Sequence, residues 1–104
     1  MRKSGFYWWD EKELSRQVDE VVERLLEKGE FSFDSEGEDR FIETVVCGDV
    51  LLVNDCRDGE YIKSFYFGKK LLLRYRDEYP GYVELLDGNW SALKNIKEYL
   101  EGFE

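Results

Sequence analysis

The chain contains no histidine and a single proline. Histidine is the commonest general base and a frequent ligand of zinc, so its absence removes the Ser–His and Cys–His arrangements of nucleophilic enzymes. Every glycine stands alone, so the sequence also lacks a phosphate-binding loop and a dinucleotide-binding fingerprint. These absences exclude most hydrolase mechanisms, and we expect no enzymatic activity, no cofactor and no metal.

Long apolar runs are also missing. No stretch approaches the roughly 20 apolar residues that cross a bilayer, and the segment from Met1 to Phe6 lacks the apolar core of a signal peptide. The sequence therefore predicts a protein of the cytoplasm, or of the host cytoplasm if a virus encodes it.

Cysteine is limited to Cys47 and Cys56. A hairpin turn at Gly48-Asp49 places Cys47 opposite Val50 and Cys56 opposite Phe41, too far apart for Cα atoms that must lie within about 7 Å to form a disulfide. We expect two free, partly buried thiols, with the pKa of Cys47 raised by apolar neighbours and its sulfur inert.

Charge of one sign dominates the chain. Its 104 residues predict one domain, and they carry a formal net charge of -9. Such a surface repels phosphate backbones, so we expect a protein partner or a second copy rather than direct nucleic-acid binding, although acidity also serves solubility alone. Asparagine and glutamine are scarce beside glutamate, lysine and arginine, a pattern typical of thermophilic proteins.

Three tight turns, at Gly48-Asp49, Asp58-Gly59 and Gly68-Lys69, connect the strands between Phe41 and Leu86 into a meander. They pair residue 47 with 50, 57 with 60 and 67 with 70, and a longer loop around Pro80 pairs 76 with 82. A short strand over 31–34 precedes them. Apolar residues at helical spacing predict helices from the Asp10 cap to Lys28, with Gly29 as a left-handed C-cap, and from Trp90 to Glu101. The fold class is therefore α+β, an antiparallel meander sheet of five to six strands with both helices packed on one face.

The predicted register assigns each strand residue to a face of the sheet. We expect the helices to cover the face that carries Ile42, Thr44, Val46, Leu51, Val53, Asp55, Ile62, Ser64, Tyr66, Leu71, Leu73, Tyr75, Val83 and Leu85. Half of the opposite face is apolar, and it is large enough to need a cover. The cover is either internal, from Phe6, Tyr7, Trp8 and Trp9 or from Phe31 and Phe33, or a partner molecule. The predicted contact residues are Val45, Val50, Leu52, Tyr61, Phe65, Phe67, Leu72, Arg76 and Leu86.

Carboxylates form a second candidate surface, made of Asp34, Glu36, Glu38 and Asp39 in a loop and Glu20, Glu23 and Glu27 on the first helix. They favour a small acidic protein-binding module, such as an inhibitor that occupies a basic surface where phosphates would lie. One alternative is a homodimeric chaperone or accessory subunit. The other is a metal-dependent hydrolase using Asp55, Glu43 and Lys63, although the register puts Asp55 and Glu43 on opposite faces.

Overall fold

The computed structural model describes residues 11–78 and 82–103, which form two helices and one six-stranded antiparallel sheet. The expected cap at Asp10, the aromatic residues Phe6 to Trp9 and the loop around Pro80 lie outside the described residues. The predicted α+β meander is confirmed, and its strands follow one another across the sheet in chain order. The elements are α1 (Glu11–Lys28), β1 (Glu30–Ser35), β2 (Arg40–Cys47), β3 (Val50–Arg57), β4 (Glu60–Phe67), β5 (Lys70–Glu78), β6 (Tyr82–Gly88) and α2 (Ala92–Glu101).

The three tight turns set the predicted pairs, and 47 with 50, 57 with 60 and 67 with 70 are all confirmed. Irregularities between Phe65 and Tyr66 and between Arg74 and Tyr75 then shift the register of β5. Phe65 consequently lies opposite Leu73 rather than Leu72. Residue 76 pairs with 84, and the prediction that it pairs with 82 was wrong.

Both helices pack on one face of the sheet, but it is the face opposite to the one predicted. We call it the helix side; its buried residues are Val45, Cys47, Val50, Leu52, Phe65, Leu73, Tyr75 and Val83. The other face, the open side, carries Ile42, Thr44, Val46, Leu51, Val53, Asp55, Ile62, Ser64 and Tyr66, which were expected in the core. The register shift in β5 places Leu73 and Tyr75 on the helix side. These two residues were predicted to share a face with the residues that lie on the open side.

The first helix contributes Leu14, Val18, Val21 and Leu25 to the core, as their spacing of three and four residues predicts. Leu26, although apolar, is exposed. Gly29 follows the helix, but it does not adopt the predicted left-handed conformation. The backbone of β2 lies close to it, and an added Cβ would lie 2.6 Å from the carbonyl oxygen of Val46. This contact fixes where α1 ends above β2.

The second helix buries Ala92, Leu93, Ile96 and Leu100 against α1 and the sheet. Its C-terminal end is held by Lys28, whose Nζ donates hydrogen bonds to the carbonyl oxygens of Leu100 at 2.6 Å and Phe103 at 3.0 Å. The last carbonyls of a helix lack intrahelical partners, and a cation there also interacts favourably with the helix dipole. The C-terminal ends of α1 and α2 are therefore joined through one side chain.

Candidate protein-interaction surface

Four of the nine residues of the predicted contact patch lie inside the protein. Val45, Val50, Leu52 and Phe65 are buried beneath the helices and cannot touch a partner. The apolar half-face does need a cover, as the sequence indicated, but the two helices supply it. We therefore withdraw these four residues from the candidate contact surface.

The remaining members of the predicted patch are dispersed. Tyr61 and Phe67 are exposed on the helix side, and Phe67 contacts the ring of Tyr99 edge-on at 5.1 Å. Leu86 is exposed on β6, and Leu72 packs partly against the core. Arg76 lies on the open side, where its guanidinium contacts Glu60 and Glu84. The structure does not bring these residues together into one surface.

A shallow groove of about 510 Å³ crosses the open side. Its lining is apolar at Val53 and Ile62 and carries charged residues of both signs, Asp55, Arg57, Asp58, Glu60 and Arg74. Arg74 donates to the Ser64 hydroxyl at 3.0 Å and to the Tyr66 hydroxyl at 3.3 Å, while Asp55 lies 3.6 Å from Arg40. Because acidic and basic side chains are interspersed along the lining, the groove does not present a surface of one charge.

The edge strand β1 is exposed along its whole length. Phe31 and Phe33 project on the helix side beyond the reach of the helices, with 52% and 56% of their surface accessible. The Phe33 ring lies 5.3 Å from Phe41, which in turn lies 6.3 Å from Tyr61. We call Phe31, Phe33, Phe41 and Tyr61 the aromatic row; it presents large rings of the type that anchor protein interfaces.

Small and polar residues lie beneath the aromatic row. Cys56, opposite Phe41 and Tyr61, is buried apart from the main core, and its thiol and Glu43 raise the pKa of Tyr61. Asn54 is also buried and donates to Glu43 at 2.7 Å. The part of the sheet next to the aromatic row is therefore packed with small and polar side chains and not with the main apolar core.

Within the described chain, the backbone of β1 bonds to a neighbouring strand on one side only. The amide of Glu36 donates to the carbonyl of Arg40 at 2.9 Å, so in this antiparallel register residues 30, 32, 34 and 36 direct their backbone groups toward β2. The N–H and C=O groups of Phe31, Phe33 and Ser35 then point away from β2. No described strand lies on that side.

Carboxylates surround one end of β1. Within the described chain, Asp34, Glu36, Glu38 and Asp39 are all exposed, as predicted for a surface loop. The amide of Asp58 donates to the carbonyl of Asp39 at 2.8 Å, which draws the acidic turn of β3 and β4 against them. We call this group the acidic end of the sheet; it comprises Glu36, Glu38, Asp39, Asp58 and Glu60. Glu36 lies 3.3 Å from Arg40 and Glu60 lies 3.3 Å from Arg76, whereas Glu38, Asp39 and Asp58 form no ion pair within the described chain. Glu23 and Glu27 are exposed on α1, while Glu20 contacts Arg16 and Lys97.

The residues of the hydrolase hypothesis are not assembled into one site. Glu43 bonds Asn54 on the helix side and Lys63 contacts Asp77 at 2.9 Å, whereas Asp55 faces the open side. Among residues 11–78 and 82–103, no group of three acidic or cysteine side chains is placed to hold a metal ion. Cys47 and Cys56 are free and buried, and burial raises the pKa of the Cys47 thiol, as predicted.

The sequence predicted the strand over 31–34 at one edge of the sheet without deciding which edge, and the exposure of its phenylalanines was not foreseen. The signal that could have indicated this exposure is the alternation Glu30-Phe31-Ser32-Phe33-Asp34, which puts two phenylalanines on one face and two carboxylates on the other.

Among the described helices, none is long and apolar enough to cross a membrane. No protein-family model, curated protein or solved structure matches this chain.

Proposed function

We propose that this chain is a small acidic protein-binding module that holds a basic surface of a larger protein through β1 and the acidic end. The observation that carries the proposal is the six-residue edge strand, exposed at every position and flanked by carboxylates on the chain that follows. Apolar and acidic groups converge there, whereas the groove of the open side intersperses acidic and basic side chains.

The two parts of this surface have separate tasks. The acidic end attracts a basic partner over a distance of about one Debye length, which raises the association rate and makes it sensitive to salt. The aromatic row then supplies apolar area that is removed from water, which lowers the dissociation rate. A partner whose basic surface otherwise holds nucleic acid fits this division, and the module would act as its inhibitor.

A capture experiment with matched variants tests the proposal. The test variant neutralises the acidic loop with Asp34→Asn, Glu36→Gln, Glu38→Gln and Asp39→Asn. The control makes the same change in net charge on the helices with Glu23→Gln, Glu27→Gln, Glu98→Gln and Glu101→Gln, all at exposed positions. Each variant, immobilised, is exposed to a lysate of the native host.

We expect proteins that the wild type and the control retain but the test variant loses. Their association rate should fall by about tenfold or more in the test variant and on raising the salt concentration, and heparin should compete. Equal retention by the test and control variants, at a rate insensitive to salt, would contradict the proposal.

A further inference from the structure

We infer that β1 is the docking edge for an extended basic segment of the partner, which pairs with β1 as an additional strand and alternates cationic with apolar side chains. This inference rests on the proposed function and adds the mode of binding and the chemistry of the segment. It is carried by three properties of the strand: backbone groups that no described strand bonds, an edge without lysine, proline or a bulge, and the two-sided distribution of its side chains.

The outward amides and carbonyls of Phe31, Phe33 and Ser35 form the first part of the argument. They are spaced as an antiparallel or parallel neighbour requires, and a peptide that adds a strand obtains its affinity from such main-chain hydrogen bonds. A segment that pairs with all three residues would extend the six-stranded sheet without moving any described element.

The second part is the regularity of the edge. Natural proteins blunt an edge with charged side chains, proline or a bulge; β1 contains no lysine, proline or bulge, and its charged residues, Glu30 and Asp34, have one sign only. The opposite edge, β6, differs: a register shift interrupts its pairing with β5, and α1 packs against it. Within the described chain, β1 is therefore the regular edge of the sheet, and its charges favour a neighbour of opposite sign.

The third part is the pattern of side chains along β1, which specifies the docked segment. On the helix side, its residues would adjoin Phe31 and Phe33, so apolar side chains are favoured there. On the open side they would adjoin Glu30 and Asp34, with the acidic end close by, so lysine or arginine is favoured. Because strand side chains alternate between faces, the two preferences combine into alternating basic and apolar residues.

A second copy of this chain fits the edge poorly. It would bring a strand with the same carboxylates, Glu30 and Asp34, against the first, and each copy carries a net charge of -9. Like charges on directly opposed strands are destabilising. Charge complementarity thus selects a basic segment over self-association.

The test uses a synthetic peptide of alternating lysine and valine, titrated into the full chain and followed by amide hydrogen exchange. We expect the amides of Phe31 and Phe33 to become protected, while those of Ser32 and Asp34, already bonded to β2, change little. A peptide of alternating glutamate and valine should not bind. N-methylation of every second amide of the lysine–valine peptide should abolish binding when it blocks the amides that face β1. It should leave binding unchanged when it blocks the amides that point away.

Two pairs of variants separate the backbone from the side chains. Phe33→Pro and Phe33→Ala both remove the ring, but only proline removes the outward N–H; Ser35→Pro and Ser35→Ala form a second pair that leaves both phenylalanines in place. Each proline should weaken peptide binding by about tenfold relative to its alanine control. Circular dichroism and thermal melting confirm that each variant is folded.

Equal binding by the proline and alanine variants, or protection that appears away from β1, would overturn the inference. So would a concentration-dependent dimer, measured by light scattering, whose contacts protect Phe31 and Phe33 without any peptide. If the proline and alanine variants bind the peptide equally, the inference fails. Host proteins that the wild type retains and the acid-neutralised variant loses would still support the proposed function, so the two proposals can fail separately.

Discussion

The hydroxyl of Tyr99 accepts a hydrogen bond from the backbone amide of Asp49 at 3.1 Å, so α2 is tied directly to the turn between β2 and β3. The Tyr99 ring also contacts Phe67 and Phe103. Tyr99→Phe keeps these ring contacts and removes only the hydrogen bond, so we expect the free energy of unfolding to fall by about 1 kcal/mol. Urea denaturation measures the difference, and an unchanged value would show that water replaces the bond at no cost.

The same turn predicts an unequal response of two glycines to alanine. Gly48 and Gly68 have nearly the same positive φ, +61° and +63°, but an added Cβ at Gly48 would meet the Tyr99 hydroxyl and the Phe103 ring, whereas the space at Gly68 is open. Gly68→Ala should cost only the backbone strain, about 1–2 kcal/mol. Gly48→Ala should cost about 1–3 kcal/mol more, because both rings must move. Thermal unfolding of the two variants provides the test, and equal losses would show that the rings adapt freely.

Tyr75 makes stability depend on alkaline pH. Burial raises its pKa well above the ordinary value, and the charges of Asp77 and Asp19 act in the same direction. The unfolded tyrosine loses its proton near pH 10 while the folded one keeps it, so this contribution to stability is complete below about pH 10 and is lost as the pH rises further. Tyr75→Phe removes the titration, and its stability should decline less between about pH 9 and pH 11.

At neutral pH, Tyr75→Phe should be at least as stable as the wild type, because the buried hydroxyl has no hydrogen-bond partner among the described residues. Denaturant midpoints of both proteins across the alkaline range measure the two effects. Parallel pH profiles would show that Tyr75 does not govern the alkaline loss.

Ion pairs predict the thermal behaviour. In the described chain, most ion pairs belong to connected groups, such as Glu20 with Arg16 and Lys97, or Asp55 with Arg40 and Arg57, and one pair, Lys63 with Asp77, is isolated. Networks of this kind become more favourable at high temperature. We expect a melting midpoint above about 65 °C that falls in concentrated salt, as screening weakens the networks. A midpoint within the mesophilic range would refute the thermophilic interpretation.

The hairpins of this fold were predictable because a two-residue turn fixes which residues face each other. Gly48-Asp49, Asp58-Gly59 and Gly68-Lys69 each set the register of the adjoining strands, and the structure follows it up to the irregularity at Phe65. The register shifts in β5 were not predictable. In the run Leu71-Leu72-Leu73, a slip by one residue still presents leucine to both faces, so the hydrophobic pattern does not select one register.

The choice of the covered face failed for a related reason. Central strands such as β3 carry apolar side chains on both faces, with Leu51 and Val53 on one and Val50 and Leu52 on the other. The deciding quantity was the size of the apolar cluster that two short helices can cover. Val45, Val50, Leu52 and Phe65 form such a cluster near one end of the sheet, whereas the other face intersperses its apolar residues with Asp55 and Ser64.

The candidate contact surface could be predicted only in part. The exposure of the acidic loop could be predicted because Asp34, Glu36, Glu38 and Asp39 resist burial without partners. The exposure of Phe31 and Phe33 could not, because it depends on which strand β1 joins and how far the helices reach. Both are properties of the assembled sheet and not of the local sequence.

The amine of Lys28 joins the ends of both helices, so its chemical state affects more than one element. Acylation of that nitrogen would abolish its charge and most of its hydrogen-bonding capacity, releasing the carbonyls of Leu100 and Phe103 together. Since the Phe103 ring lies against Tyr99, the disturbance would reach the β2–β3 hairpin as well. One modified lysine would thereby loosen the helical layer from the sheet at a point remote from β1.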